Sequence, residues 1–238
     1  MKSIIVDNRI SEKIERSLLR LGFFVMKAPT HPSLSAAIAS HPDTLFFKLK
    51  NRLFSYADHT EAALPMFSDI REYHSDITFG FSGDDPSSVY PGDCALNALF
   101  IGGRIYAREK SLSPLIREFA EKEGISIKGV NQGYPACSVL KINENSAITS
   151  DLGMAKAMSE DGIDVLLIEA GHIALPPHKY GFIGGASFVF SNKVCFFGDI
   201  SKHPDCGKIT DFIKGKSLDI LSLSDEPLVD LGGAVIFE

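Results

Sequence analysis

Residues 137–168 read CSVLKINENSAITSDLGMAKAMSEDGIDVLLI, a pattern that predicts a strand, a turn, a strand, a helix and a final strand. The apolar stretches 137–142 and 146–149 flank a turn-forming Asn-Glu-Asn, which is typical of a β-hairpin. Asp151 can cap the helix, Gly162 ends it, and residues 164–168 supply the last strand. We therefore predict one ββαβ unit here.

The same order of predicted elements recurs along the chain. The comparable entry points of the units are Asp43, Asp93, Cys137, Ser187 and Gly233, and the first unit's strand covers residues 44–49. These entry points are separated by 50, 44, 50 and 46 residues. The last unit is split, because residues 233–237 supply its first strand and residues 3–26 supply the rest. A fifth of the chain is about 48 residues, which matches this period.

This period predicts a single α/β domain over residues 1–238. We expect a five-bladed α/β propeller, in which five pseudo-symmetric ββαβ units are closed by the two termini. The units cover roughly residues 41–81, 91–127, 135–168, 184–223, and 232–238 together with 1–26. A plain α/β sandwich with coincidental spacing is the alternative.

Composition excludes several classes of protein. Hydrophobic residues make up 45% of the 238 residues and charged residues 23%, as in ordinary globular proteins. The net charge of −6 argues against a nucleic-acid partner. No apolar stretch is long enough to span a bilayer, and the N-terminal apolar run ends at Asp7, so we expect a cytoplasmic protein without a membrane partner. Nothing indicates an oligomeric state.

The four cysteines show neither a CxxC motif nor a disulfide framework, so we interpret them as reduced thiols. No histidine or cysteine cluster has the spacing of a zinc site. We therefore expect no metal and no cofactor.

Several strings resemble a family of uncharacterised bacterial proteins that have the pentein fold. They are His41-Pro42-Asp43; Tyr90-Pro91-Gly92-Asp93 with Asn97-Ala98-Leu99; Gln132-Gly133-Tyr134-Pro135-Ala136-Cys137-Ser138; Tyr180-Gly181-Phe182-Ile183-Gly184-Gly185-Ala186-Ser187; and Phe197-Gly198-Asp199 with His203-Pro204-Asp205. The resemblance covers essentially the whole chain. It implies the fold of the guanidine-group-modifying enzymes (arginine deiminase, dimethylarginine dimethylaminohydrolase, amidinotransferase), which is also the fold of the non-catalytic translation initiation factor six.

One functional residue of these enzymes has a match in this sequence, and two do not. The enzymes place a Gly-Gly-Asp string before the second unit, where its acidic residue binds the guanidinium, and Asp93 of Pro91-Gly92-Asp93 matches that position. The enzymes' nucleophilic cysteine follows paired glycines at the C-terminal strand, but Gly232-Gly233 is followed here by alanine. The histidine that enters their fourth unit is replaced by Phe182-Ile183-Gly184.

The linkers that lead into the five first strands are acidic. They contain eight carboxylates and only one Lys or Arg, Lys179; the carboxylates are Asp43, Asp84, Asp85, Asp93, Glu169, Asp225, Glu226 and Asp230. In a ring of repeats these linkers share one face, and a cleft of one charge sign favours a ligand of the other sign. We therefore expect a small cationic guanidino or amidino compound to bind at an acidic mouth of the central channel. Solvated loops that are acidic for no functional reason are the alternative.

The Cys137 thiol, at the start of the third unit, is the candidate nucleophile, and His172 or His178 in a neighbouring linker is the candidate proton shuttle. With Asp93 as carboxylate, Cys137 and His172 form the preferred catalytic set. The candidate ligand-binding residues are Asp43, Asp93, Asn97, Tyr134 and Ser187. The resulting hypothesis is hydrolysis or transfer of an amidino group. The alternative is a non-catalytic ligand-binding or interaction protein in which Cys137 is a buried structural thiol, and the sequence leaves the choice open.

Overall fold

The computed structural model describes residues 1–56, 59–83 and 85–238. In chain order its strands and main helices are β1 Lys2–Asp7, α1 Glu12–Arg20, β2 Phe23–Ala28, α2 Pro42–Leu45, β3 Phe46–Leu49, β4 Arg52–Tyr56, α3 Thr60–Tyr73, β5 Thr78–Ser82, β6 Leu99–Ile101, β7 Arg104–Ala107, α4 Pro114–Lys122, β8 Ser126–Gly129, α5 Pro135–Ser138, β9 Val139–Asn143, β10 Ser146–Thr149, α6 Leu152–Glu160, β11 Asp164–Leu167, β12 Ser187–Phe190, β13 Lys193–Phe196, α7 Cys206–Gly215, β14 Asp219–Ser222 and β15 Val235–Phe237. A 3-10 helix spans Ile200–Lys202.

The strands form five three-stranded sheets, each built in the same way. In each sheet the middle strand pairs antiparallel with the first strand and parallel with the third, which is reached through a helix. The fifth sheet joins both ends of the chain, because β15 pairs antiparallel with β1 and β1 pairs parallel with β2. The five predicted ββαβ units are therefore confirmed.

The helix between the second and third strands of each sheet forms as the ββαβ pattern predicts. Ser11 caps α1 by accepting a hydrogen bond from the Ile14 amide at 3.3 Å, and Asp151 caps α6 in the same way at 2.8 Å from Met154. Apolar residues at helical spacing, such as Ile14 and Leu18 of α1, are buried against the strands. None of the helices in the described residues is long and apolar enough to cross a membrane.

Four of the five first strands begin later than predicted. They start at Phe46, Leu99, Val139 and Val235, which is two to six residues after the predicted starts, whereas the fourth starts at Ser187 as predicted. The reason is clearest for α2 and α5, where Pro42 and Pro135 occupy the first helical position, which proline favours. Asp43 and Cys137 consequently lie in single helical turns just before their strands.

The first strands of all five sheets line one cavity of about 680 Å³, the central channel. Its floor includes Asp43 and the paired glycines Gly232 and Gly233. Lys48 and Lys141 lie on its walls. The candidate site lies at and beneath this floor, where the linkers that precede the first strands meet.

Candidate functional site

Asp230 anchors the site. Its carboxylate is 1% exposed and accepts hydrogen bonds from the amides of Phe182 at 2.8 Å and Gly232 at 3.0 Å. The amides of Leu231 and Gly233 both donate to the carbonyl of Gly185 at 2.9 Å. These bonds join the linker before β15 to the linker before β12, and they fix the carboxylate in place.

The Cys137 thiol lies on this carboxylate. Its Sγ is 3.2 Å from Oδ2 and 3.4 Å from Oδ1 of Asp230, and the Asp43 carboxylate faces the same thiol. Burial and these two carboxylates raise the pKa of Cys137 well above its usual value, so the thiol holds its proton.

Close approach requires glycine at position 185. A Cβ there would lie 2.0 Å from Oδ1 of Asp230 and 2.6 Å from Sγ of Cys137. The Gly185 amide also donates to the carbonyl of Cys137 at 2.8 Å. Gly185, in the Gly-Gly string before β12, therefore leaves the space in which the thiol and the carboxylate meet.

His41 supplies the imidazole of the cluster. Its side chain is 1% exposed, with Nδ1 3.8 Å from Oδ1 of Asp230 and Nε2 3.7 Å from Oδ2 of Asp7. Neither ring nitrogen makes a hydrogen bond. Burial lowers the pKa of His41 although both carboxylates oppose the shift, so the ring is neutral. Gly232 packs against this ring, with φ +67° and space for no side chain.

Asp7 is a third buried carboxylate, at the end of β1. The Arg9 guanidinium donates to it twice, at 2.6 Å and 2.9 Å, and the Ser40 hydroxyl donates at 2.9 Å. Although burial acts to raise it, the hydrogen bonds from Arg9 hold the pKa of Asp7 below its usual value. Arg9 also donates to the carbonyls of Ala36 and Ala37, which holds the guanidinium in place beside Asp7. The Asp7 carboxylate therefore has its hydrogen-bond donors within the chain.

Asp43 is the least satisfied of the carboxylates. Thr44 donates to Oδ1 at 3.2 Å, but Oδ2 is buried and accepts no hydrogen bond. Burial and the charge of Asp230 raise the pKa of Asp43 to about 7. Because Asp43 also lines the channel floor, it connects the buried cluster to the cavity.

Three of the predicted ligand-binding residues make hydrogen bonds apart from the Cys137 thiol. The buried Asp93 accepts a hydrogen bond from the Tyr134 hydroxyl at 2.6 Å and one from the Cys94 thiol at 3.3 Å. Burial and the hydrogen bond to Asp93 raise the pKa of Tyr134. The side-chain oxygen of Asn97 accepts from the Ala136 amide at 2.9 Å, which fixes the helical turn that carries Cys137. These residues position the Cys137 turn, and their role in ligand binding stays a prediction.

The other predicted residues lie apart from the thiol. The Ser187 hydroxyl donates to the Ile183 carbonyl at 2.6 Å. His172 lies 3.1 Å from Glu169 and packs against His203, with ring centroids 5.4 Å apart. Among the described residues, the imidazole at the thiol is that of His41, and a catalytic role for His172 stays a prediction.

The acidic linkers do not form one continuous mouth. Asp43 and Asp230 meet at the cluster, Asp93 joins Tyr134, and Asp225 and Glu226 pair with Lys13 on the surface. Asp85 and Glu169 are exposed, and Asp84 lies outside the described residues. Of the seven linker carboxylates that the structure describes, only Asp43 and Asp230 therefore meet at the Cys137 thiol. The sequence analysis counted Asp230 and quoted His41, but it missed Asp7, whose only signal is an aspartate that ends a buried strand.

Comparison with known structures identifies the fold. In a search of solved structures, the chain has a TM-score of 0.60 to a dimethylarginine dimethylaminohydrolase of Pseudomonas aeruginosa, at 9% identity over 99% of this chain and 98% of that one. It has a TM-score of 0.56 to an agmatine deiminase of C. jejuni (10% identity, 94% and 87% covered) and of 0.58 to an inosamine-phosphate amidinotransferase of Streptomyces griseus (10%, 97% and 90%). The chain therefore has the pentein fold.

The sequence itself gives a narrower assignment. Residues 5–235 match the model of a family of unknown function, DUF6873, and the chain belongs to that family. No curated protein matches the sequence.

Proposed function

We propose that this chain binds a small guanidino or amidino cation at the channel floor and transfers its amidino group through Cys137, to water or to an amine. The observation that supports the proposal is the contact of the Cys137 thiol with Asp230 and Asp43, beside the His41 imidazole. A planar cation with paired N–H donors is the ligand that such carboxylates bind best. Two structural neighbours are named as an agmatine deiminase and an inosamine-phosphate amidinotransferase. Their names support the same class of chemistry.

The proposed reaction needs only groups of the cluster. The neutral ring of His41 takes the thiol proton, and Sγ of Cys137 forms a bond to the central carbon of the guanidinium. That carbon then loses ammonia or an amine, which leaves with the proton from His41. Water or an amine acceptor next attacks the amidino carbon, breaks its bond to Sγ, and restores the thiol. A bound cation offsets the two carboxylates that otherwise disfavour a thiolate.

A thermal-shift screen tests binding. Guanidino compounds are compared with amines of matched charge, arginine with lysine and agmatine with putrescine, in a buffer that contains a chelator. We expect the melting temperature to rise with a guanidino compound only, and Asp43→Asn to remove that rise. Equal shifts with the matched amines, or no shift with any guanidino or amidino compound, contradict the proposal.

Turnover is tested separately, by measuring ureido product and released ammonia or amine. Cys137→Ser is expected to abolish turnover, while Cys195→Ser, which changes a buried thiol of β13, keeps it.

One observation favours a second function, binding without catalysis. The Cys137 side chain is buried at 4% exposure, and its thiol holds its proton. In this case the guanidino compound stabilises both the wild type and Cys137→Ser, and no product forms. The same two assays therefore separate the catalytic proposal from the binding proposal.

A further inference from the structure

The cluster beneath the channel floor contains buried polar atoms that lack a partner. Both ring nitrogens of His41 and Oδ2 of Asp43 are buried and make no hydrogen bond. Buried polar atoms are normally paired, and leaving one unpaired costs about 1–3 kcal/mol. A neutral imidazole has one nitrogen whose lone pair accepts a hydrogen bond or binds a Lewis acid. At His41 no donor among the described residues satisfies that lone pair.

We propose that His41, Cys137 and Asp230 form a three-donor site for a divalent transition-metal ion of the zinc type, with the Asp43 carboxylate nearby. The donors are Nδ1 of His41, Sγ of Cys137 and one oxygen of Asp230, and the fourth tetrahedral position is open to water or another ligand. Imidazole, thiolate and carboxylate are the groups that zinc binds in proteins. Binding replaces the thiol proton of Cys137, which is released to solvent as the bond from sulfur to metal forms.

The distances fit a metal after a small contraction. A donor atom from each of His41, Cys137 and Asp230 lies within 4.8 Å of the others. Sγ of Cys137 is 3.2 Å from Asp230, and Nδ1 of His41 is 3.8 Å from it. Zinc bond lengths of about 2.0–2.3 Å place tetrahedral donors about 3.3–3.8 Å apart.

Asp7 completes the arrangement on the far side of His41. Its Oδ2 lies 3.7 Å from Nε2, the nitrogen that does not face Asp230. Metal-binding histidines usually donate their second N–H to a carboxylate, which fixes the ring orientation. Arg9 and Ser40 in turn hold Asp7.

The donors come from three linkers, and Cys137 and Asp230 are 93 residues apart, so no spacing motif marks the site. This explains why the sequence predicts no metal. The proposal does not depend on guanidine binding. If both hold, metal and cation compete for the same carboxylates, and the metal inhibits the reaction.

Cobalt(II) titration of chelator-treated protein, without any guanidino compound, tests the proposal. We expect one cobalt per chain, visible absorption of a tetrahedral ion, and a near-ultraviolet charge-transfer band from the thiolate. Zinc is expected to displace the cobalt. The control Cys195→Ser keeps the band, whereas Cys137→Ser loses it and binds cobalt at least about tenfold more weakly.

His41→Gln, which leaves the thiol intact, gives a second measurement if Cys137→Ser does not fold, and it is expected to weaken cobalt binding to a similar extent. A wild type that shows no charge-transfer band, or a band that survives in Cys137→Ser, overturns the metal site. A chain that binds cobalt in this way but no guanidino compound overturns the proposed function alone.

Discussion

The Sγ atom of Cys137 lies 3.2 Å from Oδ2 of Asp230, although 93 residues separate the two along the chain. The contact forms because the linkers before β9, β12 and β15 all end at the floor of one channel. A thiol between carboxylates is a poor nucleophile while the site is free of cations. A cation bound at the site lowers the pKa of the Cys137 thiol, so binding of the ligand favours the nucleophilic thiolate.

Asp230→Ala is expected to destabilise the protein. The substitution leaves the buried amides of Phe182 and Gly232 without their acceptor, and it removes the acceptor of the Cys137 thiol. We expect the free energy of unfolding to fall by about 3 kcal/mol. Urea unfolding measures this loss, and Asp230→Asn, which keeps one acceptor oxygen, is expected to lose less. Equal stability of Asp230→Ala and the wild type would show that these bonds contribute nothing.

Gly185→Ala tests the tight packing at the thiol. The added Cβ would meet the Asp230 carboxylate at 2.0 Å, a contact that the cluster relieves only by moving. We expect a loss of about 3 kcal/mol in urea unfolding. Gly207→Ala is the matched control, because its Cβ would meet nothing within 4 Å in α7. Alanine is expected to stabilise that helix by about 0.5 kcal/mol. Similar losses for both substitutions would contradict the packing argument.

The repeating units could be predicted from the sequence because each one is encoded locally. Alternating apolar residues mark the hairpin, helical spacing marks the helix, and a glycine such as Gly162 marks its end. The positive φ of that glycine, +80°, agrees with its predicted role. The starts of the first strands after Pro42 and Pro135 were predicted too early, because these prolines favour a helical turn that the apolar pattern conceals, whereas the predicted start at Ser187 was correct.

The site was predictable only in part. Cys137 and Asp43 were found because they stand at the start of a unit, a position that the repeat defines. The partnership of His41 with Asp230 depends on which linkers meet at the channel floor, and no local pattern encodes that meeting. The acidic count of the linkers indicated negative charge, but whether a carboxylate is exposed, like Asp225, or buried is decided by packing.

Arg9→Met is expected to leave the carboxylate of Asp7 buried without its cation. Removing one partner of a buried ion pair costs about 3–5 kcal/mol, and the 39% exposure of the Arg9 side chain reduces this to about 2 kcal/mol. Thermal or urea unfolding measures the loss. The double variant Asp7→Asn with Arg9→Met is expected to recover part of it, because residue 7 then carries no charge that lacks a partner. A double variant less stable than Arg9→Met contradicts this account.

The pH dependence of stability is expected to involve His74. Burial holds the pKa of His74 in the folded protein below its usual value of 6.5, and the ring lies 2.9 Å from the Ser3 hydroxyl. Below pH 6.5 the unfolded chain therefore binds a proton that the folded chain binds more weakly. The contribution of His74 to stability is complete above that pH and is lost as the pH falls below it.

Urea unfolding at several pH values between 7 and 5 measures this effect. His74→Gln is expected to show a smaller decrease in stability over this range than the wild type. Identical slopes for the two proteins would exclude a titrating role for His74.

The two histidines at issue in the site are separated by a matched pair of substitutions. His41→Asn removes the imidazole beside the Cys137 thiol, whereas His172→Asn alters a ring that contacts Glu169 and His203. If His41 carries the proton in the proposed reaction, His41→Asn lowers kcat by about 100-fold or more and His172→Asn leaves it unchanged. The measurement is steady-state turnover of the guanidino compound that the thermal-shift screen identifies. A large loss of kcat in His172→Asn, with His41→Asn active, would instead support the pairing of Cys137 with His172 that the sequence predicts.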